Sequence, residues 1–513
     1  MLHSFRMLTK KRMYSFDKSY AGSPLKKRAV RGGSVTLFNR FCDYGVQIIC
    51  TVIIARILTP SDFGLVAIAT AITGFFFIFR NLGLSDATVQ RKTITHEQVN
   101  TLFWINVAAS FVFTLVLMAC APVISWFFKD SRLTAIVIVS SFSFVAAGFS
   151  TQHQALLKRD LRFMAIAVND FVSIIISFSV SLIMAVKGFG YWALVVRPLV
   201  LSFSLCVGFW LLCPWIPSRP SWARGIKPML KFGVNIVAYY IVDYFSKNLD
   251  KTLIGWKYGT TQLGYYSKAF QLFWAPVNQL TVPLSGVAVS TLSKLQNDRA
   301  RYHAYYLKAI QFIAFCGFPL SIFLTVCSGD LIQILLGEQW TAAAGIFSIL
   351  GVSAGIQLIV STRAWLFISL GRTDRWFYTG IVSAVVMAVF IVIGLQFGTT
   401  GVAVAYSAFV YLSLVPSLWY AGEPIGISFL DIFKVLWRPF VSSMAAGAFC
   451  FAANEQYFFN NENKLRKFIS LGIFALGYCS SIVILNLSLK PFADFLNLLK
   501  LILPGMKNNR AET

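Results

Sequence analysis

Eleven ionisable side chains stand inside stretches apolar enough to cross a membrane: Arg40, Asp43, Arg56, Asp170, Arg197, Asp243, Lys247, Asp250, Lys251, Lys268 and Arg363. An ionised group near the middle of a bilayer costs about 2.5–3.5 kcal/mol even on the most lenient scale, so such residues face a cavity, a ligand or one another. Seven are basic and four acidic. A cavity lined by them is net cationic and suits an anionic ligand such as a diphosphate. Arg40, Arg56 and Arg363 lie close enough to span ends for their heads to reach the interface. Asp243 and Lys247 are four apart on one helix face, with Asp250 three further on. That stripe reads either as a self-neutralised pair or as part of a transport path. Arg197 is deep, and the adjacent Pro198 removes a helical hydrogen bond beside it, which favours a cavity role. Buried carboxylates can also couple transport to a Na⁺ or H⁺ gradient, and Asp243, Asp43 and Asp170 are the candidates.

These residues are positioned by a repeat. Shifting the chain by 200 places Asp43-Tyr44 on Asp243-Tyr244, Ile54 on Ile254, Ser61 on Thr261 and Gly64 on Gly264. Further on the offset drifts, and Arg159 and Arg162 fall on Arg372 and Arg375. Each repeat holds six spans, an even number, so both enter the membrane in the same direction. Parallel repeats of this kind are transporter architecture, with the substrate site expected between the halves.

The elements are helical spans, fourteen in this reading. The first six cover about 33–58, 63–80, 101–124, 133–157, 163–187 and 189–213. The next six cover about 228–254, 261–290, 305–327, 341–368, 376–396 and 399–421, followed by 434–453 and 467–488. The expected fold is therefore an all-α polytopic membrane protein: a six-helix lobe at 33–213, a linker at 214–227, a second lobe at 228–421, and two additional helices within 434–488. A basic tail (1–32) precedes them and a shorter tail (489–513) follows. The linker is marked by Pro214, Pro217 and Pro220, which cannot continue a helix. The N-terminal tail and every second loop carry most of the 45 Lys and Arg residues, including Arg91, Lys158, Lys294 and Arg299. By the positive-inside rule both termini are cytoplasmic.

Composition sets the frame. The 513 residues are 57% hydrophobic and only 13% charged, against about 25% charged for a soluble domain. A cytosolic enzyme and a single-pass receptor are both excluded. The net charge of +25 is dispersed between apolar runs, so topology and anionic lipid explain it without nucleic acid. The nine cysteines lie in or at the ends of apolar runs without CxxC spacing, which gives neither a zinc site nor a disulfide framework. His3, His96, His153 and His303 are scattered, and no catalytic or metal site is expected. The run Gly188-Phe-Gly190 lacks a preceding strand and reads as a tight outer turn. Gly351 and Gly355 have the spacing of close helix packing.

Four short segments resemble one family. Ala55–Gly64 (ARILTPSDFG) is similar to the first outer turn of the polysaccharide-transport (Wzx-type) flippases, and Asp86–Lys92 (DATVQRK) to their first cytoplasmic loop. Leu336–Trp340 (LGEQW) and Leu370–Asp374 (LGRTD) resemble a later outer loop and cytoplasmic turn. The likeness is greatest to the colanic-acid-type lipopolysaccharide/exopolysaccharide branch. It implies the multidrug/oligosaccharidyl-lipid/polysaccharide exporter fold. It also implies transfer of undecaprenyl-diphosphate-linked oligosaccharide across the bacterial inner membrane, without a cofactor. Basic residues in spans one, seven and eight of related lipid flippases face the diphosphate; Arg40, Lys247, Lys251 and Lys268 occupy comparable spans here. Ion-binding groups of span eleven in some relatives are missing. A polysaccharide polymerase and chain-length machinery are the implied protein partners. The alternatives are an ion-coupled drug or cation antiporter, which calls for an acidic cavity, and a non-transporting scaffold of a polysaccharide-assembly complex.

Overall fold

A computed structural model describes residues 42–81, 85, 88, 89, 91, 94–222, 227–458, 477, 478 and 480. Among them there is no strand. The helices are α1 (42–57), α2 (Pro60–Asn81), α3 (His96–Phe128), α4 (Arg132–Arg159), α5 (Phe163–Val186) and α6 (Trp192–Leu212). A helical run Lys227–Leu295 follows, broken at Gly259 into α7 (227–258) and α8 (260–295). Then come α9 (Arg299–Val326), α10 (Ser328–Leu335), α11 (Thr341–Val352), α12 (Ala354–Ser361), α13 (Arg363–Ser369), α14 (Thr373–Gly394), α15 (Gly398–Gly422) and α16 (Phe429–Phe458). Of the last expected span, 467–488, only 477, 478 and 480 are described. The chain divides after Gly264 into two compact units. Among the described residues, seven helical runs are long and apolar enough to cross a membrane, or eight if one bent pair is counted as a span.

The helices are inside-out relative to a soluble bundle. On α5 the buried face is Asn169, Ser173, Ser177, Ser181 and Ala185, one residue per turn. Its exposed face is Met164, Val168, Phe171, Val172, Ile175 and Ile176. Small polar residues let helix backbones approach, while large apolar ones face lipid. The Ser181 hydroxyl donates to the Ala193 carbonyl of α6 at 2.7 Å. A Cβ at Gly208 of α6 would overlap the Asn169 side chain, so a glycine there lets the two helices meet.

The expected span 341–368 is not one helix. Glu338–Val352 and Ala354–Ser369 are bent by 45°. A break at membrane depth frees carbonyls that lipid cannot satisfy. Here Ser321 Oγ donates to Gly351 O at 2.6 Å and to Val352 O at 2.7 Å. The Tyr411 hydroxyl also donates to Val352 O, at 3.0 Å, and Ser407 Oγ to Ile349 O at 2.9 Å. Gly355 packs against the Gly317 backbone, where an added Cβ would lie 2.8 Å from its carbonyl oxygen. The glycine pair does permit close packing, and it does so at a kink.

The repeat is visible in turn geometry within each unit. Leu161 (φ 54°) and Gly371 (φ 68°) are both left-handed, as are Gly188 (φ 81°) and Gly398 (φ 82°). Around the first pair the backbone bonds match one for one. The N–H groups of 160, 161 and 162 reach the carbonyls of 156, 158 and 157, and those of 370, 371 and 372 reach 366, 368 and 367. The structural offset is thus 210, three residues short of the offset at which the arginines align in sequence. Gly188 and Gly190, at φ 81° and 56°, form the tight turn expected of them.

Candidate functional site

The intramembrane charges separate by unit. In the unit ending at Gly264, α1 carries Asp43 and, two turns on along the same face, Cys50. Asp170 of α5 lies within electrostatic reach of Asp43 and of Lys158. Arg197 of α6 lies within reach of Cys50. One face of α1 is therefore flanked by an acid from α5 and a base from α6. Both partners are half-buried, and α5 and α6 are held by the serine and glycine contacts described above. Two of the three acids singled out for ion coupling, Asp43 and Asp170, lie within electrostatic reach of each other. The third, Asp243, falls on α7, where its side chain lies outside the described residues, as does that of Lys247. Arg40 lies outside the described residues altogether.

On the same run, Asp250 is buried, at 1% exposure, and accepts the backbone N–H of Lys251 at 2.8 Å. Lys251 is half-buried and its Nζ reaches Asn248 Oδ1 at 3.5 Å. In the second unit Lys268 is buried, with its Nζ donating to Gln271 Oε1 at 3.0 Å. Arg363 donates to Ser383 Oγ at 3.4 Å. Arg56 is exposed, as an interfacial arginine would be. Among the described residues no group of three or more His, Cys, Asp or Glu side chains could hold a metal ion.

Two histidines that sequence spacing leaves without a role are packed into the end of the first unit nearest the basic loops. His153 is fully buried, stacked on Trp210 with ring centroids 4.4 Å apart and edge-on to Phe103 and Trp215. His96 Nδ1 accepts from Trp215 Nε1 at 3.0 Å. The segment that carries Trp215 is the expected linker, and it is tightly held. Asn100 of α3 accepts from Ser218 N at 2.8 Å and donates to Arg219 O at 2.8 Å and Ser221 Oγ at 3.2 Å. Thr101 Oγ1 and Trp104 Nε1 donate to Ser221 O and Ser218 O, each at 2.8 Å. These partners lie more than 110 residues apart in sequence, so no local motif announces them. Only the prolines hint that the backbone needs outside partners.

Residues 53–345 match the polysaccharide biosynthesis protein family, which is more than half of the chain. The chain belongs to that family. This family member is 25% identical over 460 residues to the teichuronic acid biosynthesis protein TuaB of Bacillus subtilis (strain 168), covering 88% of this chain and 95% of that protein. It is 21% identical to the lipopolysaccharide biosynthesis protein WzxC of Escherichia coli (strain K12), covering 82% and 86%. Among solved structures, the inward closed conformation of lipid II flippase MurJ superposes with a TM-score of 0.71 at 16% identity, covering 87% of this chain and 98% of that one. An inward-facing multidrug resistance MATE family transporter gives a TM-score of 0.58 at 13% identity, with coverages of 74% and 94%. The polysaccharide biosynthesis family member is thus a multi-pass membrane protein with the fold of these transporters. That fold is the one its resemblance to the Wzx-type flippases implied.

Proposed function

We propose that this protein is a flippase that moves undecaprenyl-diphosphate-linked oligosaccharide repeat units across the bacterial inner membrane by alternating access, with both termini cytoplasmic. The observation that carries the reading is family membership on a MurJ-like fold, combined with basic side chains at membrane depth. The names of its relatives support it: one is a succinoglycan biosynthesis transport protein of Rhizobium meliloti (strain 1021), 21% identical over 82% of this chain. The diphosphate is bound by Arg197, Lys247, Lys251, Lys268 and Arg40, because paired or delocalised cations compensate a phosphate charge that lipid cannot. The polyprenyl tail stays in lipid. Occupancy alone does not drive net transfer; the ligand must favour one state, or an ion must pull. Asp43 and Asp170 are the groups for that coupling, since two carboxylates within reach of each other do not both ionise readily. The transported unit then passes to a polysaccharide polymerase and its chain-length machinery.

The test is transfer of a fluorescent lipid-diphosphate oligosaccharide in proteoliposomes, read with a membrane-impermeant reagent that modifies only outer-leaflet sugar. Transfer by the native protein, reduced at least tenfold in Arg197→Ala and Lys247→Ala at equal protein levels, is the expected result. Transfer untouched by either substitution moves the headgroup site elsewhere. No transfer under any imposed Na⁺ or H⁺ gradient rejects the flippase.

A further inference from the structure

The face on which α3 and α4 meet buries polar side chains that the protein's own atoms leave unmet. Gly148 of α4 lies against α3: an added Cβ would overlap the Ser110 hydroxyl and stand 3.1 Å from Asn106 O. The helices run antiparallel, so Asn106 and Gln152, one turn further along in each, share that face. The contact is bracketed by Phe103, edge-on to His153 with centroids 6.0 Å apart, and by Thr114, whose hydroxyl lies 3.2 Å from Ser141 O. Asn106, Ser110 and Gln152 are buried, at 0%, 2% and 0% exposure. Among the described residues, the Asn106 amide nitrogen and oxygen, the Ser110 hydroxyl and the Gln152 amide nitrogen have no hydrogen-bond partner.

Both helices are long and apolar enough to cross a membrane, and Asn106 lies about 15 Å along α3. A buried amide without a partner forfeits its whole solvation, and lipid has none to give. The unmet set is neutral and mixed, with N–H groups, a carbonyl oxygen and a hydroxyl. Turning either amide over exchanges its donor and acceptor ends but keeps the set mixed. An anion would meet the amide oxygen, and a cation the amide N–H groups. Water both donates and accepts, and a buried water typically makes about three such bonds.

The way in is at the end near the basic loops. There Thr88, itself fully buried, donates to Gln152 Oε1 at 3.1 Å, and Arg159 holds the Thr88 carbonyl at 2.9 Å. At the other end the Thr114 hydroxyl donates to Ser110 O at 2.8 Å, and Leu117 and Ala121 beyond it are fully buried. The second unit builds the equivalent face differently. Its α9 starts 203 residues after α3, at Arg299 against His96. On that register Ala309 and Ile313 replace Asn106 and Ser110, and Tyr306 replaces Phe103. The Tyr306 hydroxyl bonds Thr362 Oγ1 at 2.9 Å, and Thr362 stands at the offset of 210 from Gln152. The second unit thus joins these helices directly.

We propose that the α3–α4 face of the first unit is a buried water-binding site, in which Asn106, Ser110 and Gln152 hold water that enters past Thr88. It depends on no transport assignment. The test is X-ray radiolysis of the full chain, in which bound water becomes hydroxyl radical and oxidises the side chains beside it. Phe103 lies one turn from Asn106, and Phe367 of α13 is a ring of equal burial in the second unit, each at 1% exposure. Phe103 should be oxidised at least about fivefold faster than Phe367, with ¹⁸O taken up from labelled water. Equally slow oxidation of the two rings overturns the site.

Two further arms assign the residues and the ligand. In Asn106→Leu/Ser110→Ala the Phe103 rate should fall to that of Phe367. A rate unchanged in a folded, monodisperse variant overturns the assignment to these side chains. Should that pair not fold, Gln152→Leu alone should lower the Phe103 rate, and an unchanged rate counts against the site in the same way. Replacing Na⁺ and K⁺ by choline should alter neither the oxidation of the native protein nor its thermal midpoint. Dependence on either cation overturns water in favour of a bound ion.

Discussion

The chain leaves α6 at Cys213 and leaves α15 at Glu423, and the two exits are built alike and held differently. A proline follows each helix, Pro214 and Pro424, at the same offset of 210 as the turns. Next to each proline an apolar side chain is buried, Trp215 at 2% and Ile425 at 6% exposure. The N-terminal end of the long third helix of each sequence repeat then holds the exit. In the first unit that is α3, through the buried Asn100 and its three bonds. In the second it is α9, where His303 Nε2 approaches Asp431 Oδ2 at 3.4 Å with both side chains nearly one third exposed. Arg299 lies against Gly426, 2.7 Å from where a Cβ would stand. The repeat thus keeps where an exit is anchored and not how strongly. A buried amide that satisfies backbone groups is far costlier to remove than an exposed ion pair, whose worth is usually below about 1 kcal/mol.

The largest expected effect breaks the stronger anchor. Asn100→Ala leaves the Ser218 N–H and the Arg219 carbonyl without their partner, a local loss of about 2–4 kcal/mol. Hydrogen exchange at the Ser218 amide should accelerate at least about 30-fold. Protection unchanged within about threefold would show that the amide is not the anchor. A middle effect concerns the arginines beside each exit. Arg162 donates to the Leu212 carbonyl at 2.9 Å, whereas Arg375 reaches Tyr420 O at 3.4 Å and pairs with Glu423 at 2.7 Å. Arg162→Ala should lower stability more than Arg375→Ala, because Arg162 makes the shorter bond to the carbonyl at its exit, and both effects should be small because both bonds are exposed. Equal losses by thermal unfolding in detergent would erase the asymmetry.

The smallest effect is a pH step confined to one exit. The Ser428 hydroxyl and N–H, at 2.8 and 3.1 Å, and then His303 hold the Asp431 carboxyl below its ordinary range. A depressed carboxylate contributes stability above its unfolded pKa of about 3.9, and that contribution fades as pH falls through the lower folded value. Exchange at residues 428–432, corrected for intrinsic rate, should therefore rise below about pH 4 in the native protein and stay level in Asp431→Asn. The 215–222 segment, whose bonds involve no carboxylate, should show no step between about pH 3 and 4.5. A step there instead would reverse the comparison.

Much of the fold is legible because lipid imposes it. A run of about 20 apolar residues has few other uses, so the sequence ranges fall on the helices to within about three residues at α4, α5 and α6. The break between α11 and α12 is not legible, because 341–368 is continuously apolar and the donors that satisfy it, Ser321, Ser407 and Tyr411, come from other helices. The register of the repeat shows both outcomes. Gly64 and Gly264 align because the two meet in a close crossing, where a Cβ on either would overlap a carbonyl of the other's helix. The arginines mislead by three residues because the left-handed position is filled by glycine in one copy and by Leu161 in the other. Residue type marks such a position only when it is glycine. At the candidate site, apolar surroundings single out Asp43 and Asp170 separately. That they approach each other depends on how α1 and α5 pack, which no spacing within either helix encodes. His96 and His153 escape sequence reading for the same reason.

Leu161 and Gly188, both left-handed stops, are 27 residues apart, and so are Gly371 and Gly398. Between them lie α5, with 24 residues, and α14, with 22, about 36 and 33 Å long at 1.5 Å per residue. The backbone itself ends each helix, so neither can lengthen or shorten by a turn to follow its surroundings. Two rods of fixed length stand in a bilayer whose hydrocarbon core is about 30 Å thick. A thicker or thinner membrane must be met by tilting or by deforming the lipid. The protein thereby carries its own gauge of bilayer thickness, one in each half of the chain.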